Sequence, residues 1–427
     1  MIKRVELFQT KKDLLPLLAL FATLLFFSLA FEYYNYKQLV KFDSALVKAN
    51  VLKQYTKTKI TKNGKTKTYQ VLQLRSDEGY SFYTIAKKNF EEVKDKTLDL
   101  EIFPKNLTFY EYMSSFFALS KVTHISDPPT LKKELEGSIE EQHKEQNVAD
   151  IYKALYLAKE LPRELQQNFS NLGLSHLIAI SGFHLGIIST VLFFLLKYPY
   201  RFFQNRYFPY RNGSVDTFML IAISLLGYTI FLDSPPSLLR AFVMLIVGFF
   251  LYDRGLKILS MQTLLLAVLL IVALFPRLFF SIGLWLSVAG VFYIFLFLIY
   301  FQDRKKIWQF FVLPVFVYGM MLPYSLAIFG NFSLLHPLSI IHTTLFTIFY
   351  PLSLLLHFIG FGDIFDPVLR VLVEGGTQGV ELFIDKTVLA VFIALSLVSI
   401  KNKKAFLLLN LLALFIFIYA IYNAAKF

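Results

Sequence analysis

Apolar runs of membrane-spanning length alternate with short polar links over most of this chain. Leu14 to Phe31 is apolar and ends at Glu32. After a long polar interval, apolar runs return at Leu172 to Leu196, Thr217 to Leu232, Ser237 to Leu251, Ile258 to Phe275, Leu278 to Phe301, Ile307 to Phe329, Leu334 to Ile359, Thr387 to Ile400 and Ala405 to Tyr422. Runs of this kind predict transmembrane helices. Several are short or carry a proline (Pro314, Pro323, Pro337, Pro351), which a membrane tolerates only where the freed backbone groups face protein or a wet cavity.

The polar interval has two textures. From Tyr33 to about Pro104, short alternating runs (Ala45 to Leu52, Thr68 to Leu74, Tyr80 to Ile85, Leu98 to Phe103) are separated by Asn63-Gly64 and Ser76-Asp77-Glu78-Gly79. Asn-Gly between strand-like runs is a strong hairpin signal. From Leu107 to Ser170, Ile151, Leu155, Ala158 and Leu165 form one apolar helical face opposite Lys132, Lys133, Glu134, Glu136, Glu140 and Glu141. The predicted organisation is residues 1–32 as N-terminus and first transmembrane helix, 33–105 as a small antiparallel β domain, 106–171 as amphipathic helices, and 172–427 as a multi-span region. The fold class is a polytopic α-helical membrane protein with an extracytoplasmic β domain.

Charge orients this pattern. The chain has 427 residues, is 56% hydrophobic and carries a net charge of +13. Basic clusters occur at Lys3 to Lys12, at Lys197 to Arg211, at Arg254 and Lys257, at Arg304 to Lys306 and at Lys401 to Lys404. By the positive-inside rule these are cytoplasmic, with the N-terminus. Gly360 to Lys386 is acidic and belongs outside, so Leu334 to Ile359 does not fit a single full crossing. The expectation is a re-entrant hairpin or a broken helix pair. There are no cysteines, which excludes disulfides, zinc thiolate sites and thiol catalysis.

Candidate chemistry falls in three places. Lys57, Lys59, Lys62, Lys65 and Lys67 flank the Asn63-Gly64 turn, and can grip phosphates or simply guard a sheet edge. Tyr69, Tyr80, Phe82 and Tyr83 are candidates to stack on bases. The second place is Gly173 to Ile188, GLSHLIAISGFHLGII. On one helix His176 and His184 would share a face. Ser175, Ser181, Gly182 and Gly186 lie beside them, and Gly182 with Gly186 makes a small-xxx-small pattern for close helix approach. Third, Arg240 sits one turn into a span behind Asp233, Pro235, Pro236 and Ser237. It can contact a phosphate, pair with Asp233 or snorkel to headgroups. H-E-x-x-H, G-x-S-x-G and Walker A are absent, so no protease, nuclease or ATPase motif is seen and no metal or cofactor is expected. A Ser181/His184 hydrolase and a small-molecule transporter stay open as alternatives.

The stretch from Gly173 resembles the G-L-S-H-L-L-A-I-S-G-L-H-V-G-type signature of the ComEC family of competence proteins, inner-membrane channels for transforming DNA. Gly173, Ser175, His176, Leu177, Ala179, Ile180, Ser181, Gly182, His184 and Gly186 match. Ser234 to Ala241, SPPSLLRA, resembles the family's P-S-x-x-R-A, and Phe280 to Ala289 resembles its G-F-Q-L-S-F-x-A, with Leu284 and Trp285 in place of Phe and Gln. The resemblance implies an OB-type barrel outside and a multi-pass channel in the inner membrane. Its partners would be single-stranded DNA, membrane lipid, an extracytoplasmic DNA receptor, a separate cytosolic ATP-driven helicase, single-strand-binding proteins and further copies of the chain. It also implies a short form, without the C-terminal metallo-β-lactamase-like domain of longer relatives.

Overall fold

Helix α1 (Lys11–Leu39) runs beyond its apolar stretch, because Tyr36 and Leu39 continue its spacing and pack into the core of the β domain. The structure, a computed structural model, describes residues 11–60, 66–127, 130–256, 258–376 and 379–426. The chain forms two compact units: residues 8–131 with 268–282, and residues 132–267 with 283–427.

In the first unit, β1 (Ala45–Ile60), β2 (Thr66–Ser76), β3 (Ser81–Ala86), β4 (Thr97–Phe103), β5 (Phe116–Phe117) and β6 (Leu119–Ser126) make one sheet in the order β5-β3-β2-β1-β4-β6. All neighbours are antiparallel except β3 and β5. Alternating residues Leu72, Leu74, Tyr80, Phe82, Leu98, Leu100 and Ile102 fill its core. The sheet therefore passes the expected boundary at residue 105. Phe116 to Ser126 forms strands where amphipathic helix was expected, because Phe116, Val122 and Ile125 pack on the sheet core. The only helix there among the described residues, α2 (Phe109–Ser114), is started by a Thr108/Glu111 capping box. Among the described residues no ladder joins the edge strands β5 and β6 into a closed barrel.

This unit also holds Arg277, on the short 3-10 turn Pro276–Phe280. Arg277 Nη2 donates to Glu32 Oε2 at 2.5 Å and to the Tyr112 hydroxyl at 2.6 Å, and its guanidinium lies 4.7 Å from the Tyr112 ring centre. Burial pushes the Tyr112 phenol up to about 12, so it stays protonated.

The second unit contains α3 (Leu131–Gln142) after its first residue, α4 (Gln146–Leu157), α5 (Arg163–Asn171), α6 (Ser175–Ile178), α7 (Gly182–Tyr207), α8 (Gly213–Phe231), α9 (Pro236–Asp253), the first half of α10 (Met261–Leu274), α11 (Ile282–Phe301) after its first residue, α12 (Lys306–Ile328), α13 (Ser339–Phe358), α14 (Asp366–Gly375), α15 (Lys386–Ser399) and α16 (Lys403–Ala424). Among the described residues seven helical stretches are long and apolar enough to cross a membrane, in α1, α7, α8, α11, α12, α13 and α16. Asn212, Asp385 and Asn402 start α8, α15 and α16 by accepting from first-turn amides, which is why these helices begin at polar links. Tyr293 of α11 hydrogen bonds Tyr324 of α12 (3.0 Å) and Ser396 of α15 (2.8 Å).

Helix α13 departs from expectation. It is one unbroken helix, neither a hairpin nor a broken pair, even with Pro351 inside it. Its side chains at 343, 346, 350, 353 and 357 follow helical spacing and meet His176, His184, Tyr156 and His143 in turn. A two-residue ladder, β7 (Asn331–Phe332) with β8 (Val380–Glu381), joins the chain just after α12 to the chain just before α15.

Candidate functional site

The two histidines of the Gly173 to Ile188 stretch do not share a helix. His176 lies on α6 and His184 on α7, because the backbone is extended at Ala179 and Ser181. Ser181 is the N-cap of α7: its Oγ accepts from the Phe183 amide at 3.3 Å, and its own amide donates to His184 Nδ1 at 3.3 Å. The Ser181 hydroxyl lies 3.2 Å from the same ring nitrogen. His184 is fully buried, edge-on to Tyr350 at 4.7 Å and Phe346 at 5.1 Å, whereas His176 is exposed with Nε2 3.2 Å from Thr343 Oγ1. Ser175 opens α6 and is half-buried.

Three glycines of the stretch behave differently. Gly173 has φ +70°, and a Cβ there would lie 2.6 Å from the His336 ring, so only glycine fits. At Gly182 a Cβ would meet the Ala241 Cβ at 3.1 Å, the close helix approach expected of it. At Gly186 a Cβ would meet nothing within 4 Å. The small-xxx-small reading therefore holds for Gly182 and fails for Gly186.

The second motif arrives at the same place. Pro235 caps and Pro236 opens α9, after Asp233 and Ser234 turn the chain with φ of +62° and +50°. Ser237 Oγ donates to the Ile180 carbonyl at 2.6 Å, stapling α9 to the break between α6 and α7. One turn later Arg240 is 6% exposed, and its Nε is buried without a partner. The expected pairing with Asp233 does not occur: that carboxylate takes Lys132 Nζ at 2.9 Å instead. Snorkelling fails too, since the side chain is enclosed. Among the described residues no hydrogen bond or ion pair of Arg240 is present, so a cation stands at the first turn of a helix without a counter-charge.

In the β domain, Lys57, Lys59 and Lys67 are exposed, while Lys62 and Lys65, with the Asn63-Gly64 turn, lie outside the described residues. Lys59 sits directly opposite Lys67, and Lys57 opposite Tyr69. Tyr55, 42% exposed, is on the same face by the two-residue period, although alternation alone does not single it out. Like charges opposite one another on a sheet destabilise it unless an anion intervenes. Tyr80 and Phe82, expected to stack on bases, are 1% and 0% exposed and belong to the core. Tyr69 and Tyr83 are half-buried. Arg277 also escapes the sequence pattern, because it stands alone in a link otherwise free of basic residues.

Comparison with known proteins adds the family. A protein from Aquifex aeolicus (strain VF5), described as an uncharacterized protein, is 27% identical over 173 residues, which is 39% of this chain and 38% of that relative's length. This chain therefore spans well under half of that relative. No solved structure matches. The family model described as Competence protein matches residues 157–425, from the end of α4 to the end of α16 and across both motifs that meet at Ile180 and Ser237. With that match over most of its length, the chain belongs to the competence protein family.

Proposed function

We propose that this chain passes single-stranded DNA across the inner (cytoplasmic) membrane during natural transformation, with the meeting of α6, α7 and α9 as the mouth of the path. The observation that carries this reading is Arg240. A buried guanidinium with no carboxylate among the described residues calls for an anion, and a phosphodiester offers the acceptor oxygens that its fork fits. The helix end adds its own partial positive charge. The β domain is the capture element, with Tyr55, Lys57, Lys59, Lys67 and Tyr69 on one face of the β1–β2 ribbon. It is an OB-type barrel in this reading. Its support is that β5 and β6 are successive pieces of one run, broken only at Ala118, and pair with β3 and β4 at opposite ends of the sheet. The chain supplies no enzyme activity. A cytosolic helicase and single-strand-binding proteins provide the pull, and an extracytoplasmic receptor delivers DNA.

The orientation is N-terminus inside. Because β7 and β8 pair, the end of α12 and the start of α15 share one side of the membrane. Between them, among the described residues, only α13 is long enough to cross, so a crossing by α13 would have no return. Helix α13 thus lies along the outer side, against α4, α6 and the start of α7. A Ser181/His184 hydrolase has less support, since Ser181 is spent on the cap and His184 Nε2 meets no carboxylate among the described residues.

The test is entry of labelled DNA into the cytoplasm, normalised to membrane protein level. Losing hydrogen bonds to a charged partner costs about 10- to 100-fold, and Arg240→Gln should fall by that much, with Arg240→Lys only partly restoring entry. Normal entry by Arg240→Gln at normal protein level overturns the assignment of the mouth.

A further inference from the structure

A second buried polar cluster, away from the mouth, joins the α3–α4 corner to the far end of α13. The His143 side chain is wholly buried. Its Nδ1 lies 2.9 and 3.1 Å from the two carboxylate oxygens of Asp366, at the start of α14. Its Nε2 lies 3.0 Å from Nε2 of His357. Nδ1 of His357 lies in turn 2.7 Å from the Ser353 carbonyl oxygen.

Hydrogen-bond arithmetic constrains this chain of contacts. A carbonyl oxygen only accepts, so His357 Nδ1 carries a hydrogen. An ionised carboxylate only accepts, so His143 Nδ1 carries one as well. Two neutral rings would then aim bare Nε2 lone pairs at each other across 3.0 Å, a hydrogen-bond distance. The same count results if Asp366 is the protonated partner: one proton more is needed than an ionised aspartate and two neutral imidazoles supply.

We infer that Asp366, His143 and His357 share one additional proton, and that this proton latches the α3–α4 corner to the α13–α14 turn. Burial alone favours neutral rings, but the Asp366 carboxylate in contact with His143 supplies the balancing charge. Gln142 braces the latch, donating to the His357 carbonyl at 3.3 Å and accepting from the Gly362 amide at 3.0 Å. Tyr152 stacks on His143 at 4.5 Å, and Tyr156 meets His357 edge-on at 5.1 Å. Asp363 lies on the turn before α14 and is exposed. Of the other charges nearby, Glu141 and Lys144 on either side of His143 in the chain are exposed, Lys153 holds Asp150 (2.6 Å) and Glu140 (2.7 Å), and Arg370 holds Glu145 (2.5 Å). A metal ion could use the same two Nε2 atoms, but among the described residues no third histidine, cysteine, aspartate or glutamate completes a ligand set.

The closed latch binds one proton more than the open one, so by linkage acid favours closing and rising pH favours opening. One proton permits a change in the opening equilibrium of up to about tenfold per pH unit. The experiment is hydrogen–deuterium exchange on the full chain in lipid nanodiscs from pH 6 to 9, corrected for intrinsic exchange. Protection across residues 143–157 should fall with rising pH in the wild type. In His357→Gln the amide donates to His143 Nε2 without titrating, so protection should persist across the range. A flat wild-type profile overturns the latch, and it decides even if His357→Gln does not fold. An equal slope in His357→Gln also overturns it. So does one equivalent of transition metal found by elemental analysis together with loss of protection in a chelator.

Discussion

At Gly182 one hydrogen atom decides whether α7 and α9 can meet. A Cβ there would sit 3.1 Å from the Ala241 Cβ, tighter than ordinary van der Waals contact, while the same atom at Gly186 would enter open space. Gly182→Leu should therefore abolish DNA entry, since overpacking a close contact costs about 1–3 kcal/mol or more. Gly186→Leu should leave it largely intact. Ser181→Ala should cost only the cap, about 1 kcal/mol, and retain most entry. Transformation frequency at matched protein level checks all three. A working Gly182→Leu beside a dead Ser181→Ala would favour the hydrolase. The sequence names every one of these residues and the close approach at Gly182, but misplaces Gly186 and the shared face of the histidines. An eight-residue spacing reads as one helical face only if the helix is continuous. Here Ala179 and Ser181 break it, and nothing in His176 or His184 announces the break.

At the scale of elements, the β1–β2 ribbon shows what pattern can and cannot reveal. Alternation and Asn-Gly locate the hairpin, and Lys59 opposite Lys67 follows from its register. Yet alternation cannot tell which face turns inward until the rest of the sheet is known. Tyr80 and Phe82 thus belong to the core, and Tyr55 to the exposed face. Phe116 to Ser126 reads as helix because its strand partners, β3 and β4, lie far off in sequence. If the ribbon holds a single strand, replacing Lys57, Lys59 and Lys67 by Gln should weaken binding of an oligonucleotide to the full chain. It should also flatten the salt dependence by about 2 in log–log slope, at roughly 0.7 for each phosphate left without its lysine. Tyr55→Ala should lower affinity with the slope unchanged, because stacking releases no counterions. Equal salt slopes in the lysine variant and the wild type would remove the ribbon from the path.

For the whole molecule, the decisive question is the number of membrane crossings between α12 and α15. Hydropathy offers α13 as a span, and loop charge argues against it. The β7–β8 ladder also argues against it, because Asn331 and Glu381 are antiparallel register partners, beside a bond from the Leu382 amide to the Gly330 carbonyl at 2.6 Å, and in the proposed reading they share a side. The stretch between them holds α13 and α14, and α14 has 10 residues, about 15 Å of helix, too short to return across a core of about 30 Å. The chain contains no cysteine, so a single introduced one reports without background. Leu334→Cys and Phe361→Cys flank α13 at exposed positions, and Arg304→Cys and Lys401→Cys lie in basic links, also exposed. A membrane-impermeant maleimide added to intact spheroplasts should label the first pair and spare the second until the membrane is opened. Labelling of Leu334→Cys without Phe361→Cys would mean that α13 crosses. The β7–β8 pairing, and with it the placement of α13 over the mouth, would then be wrong.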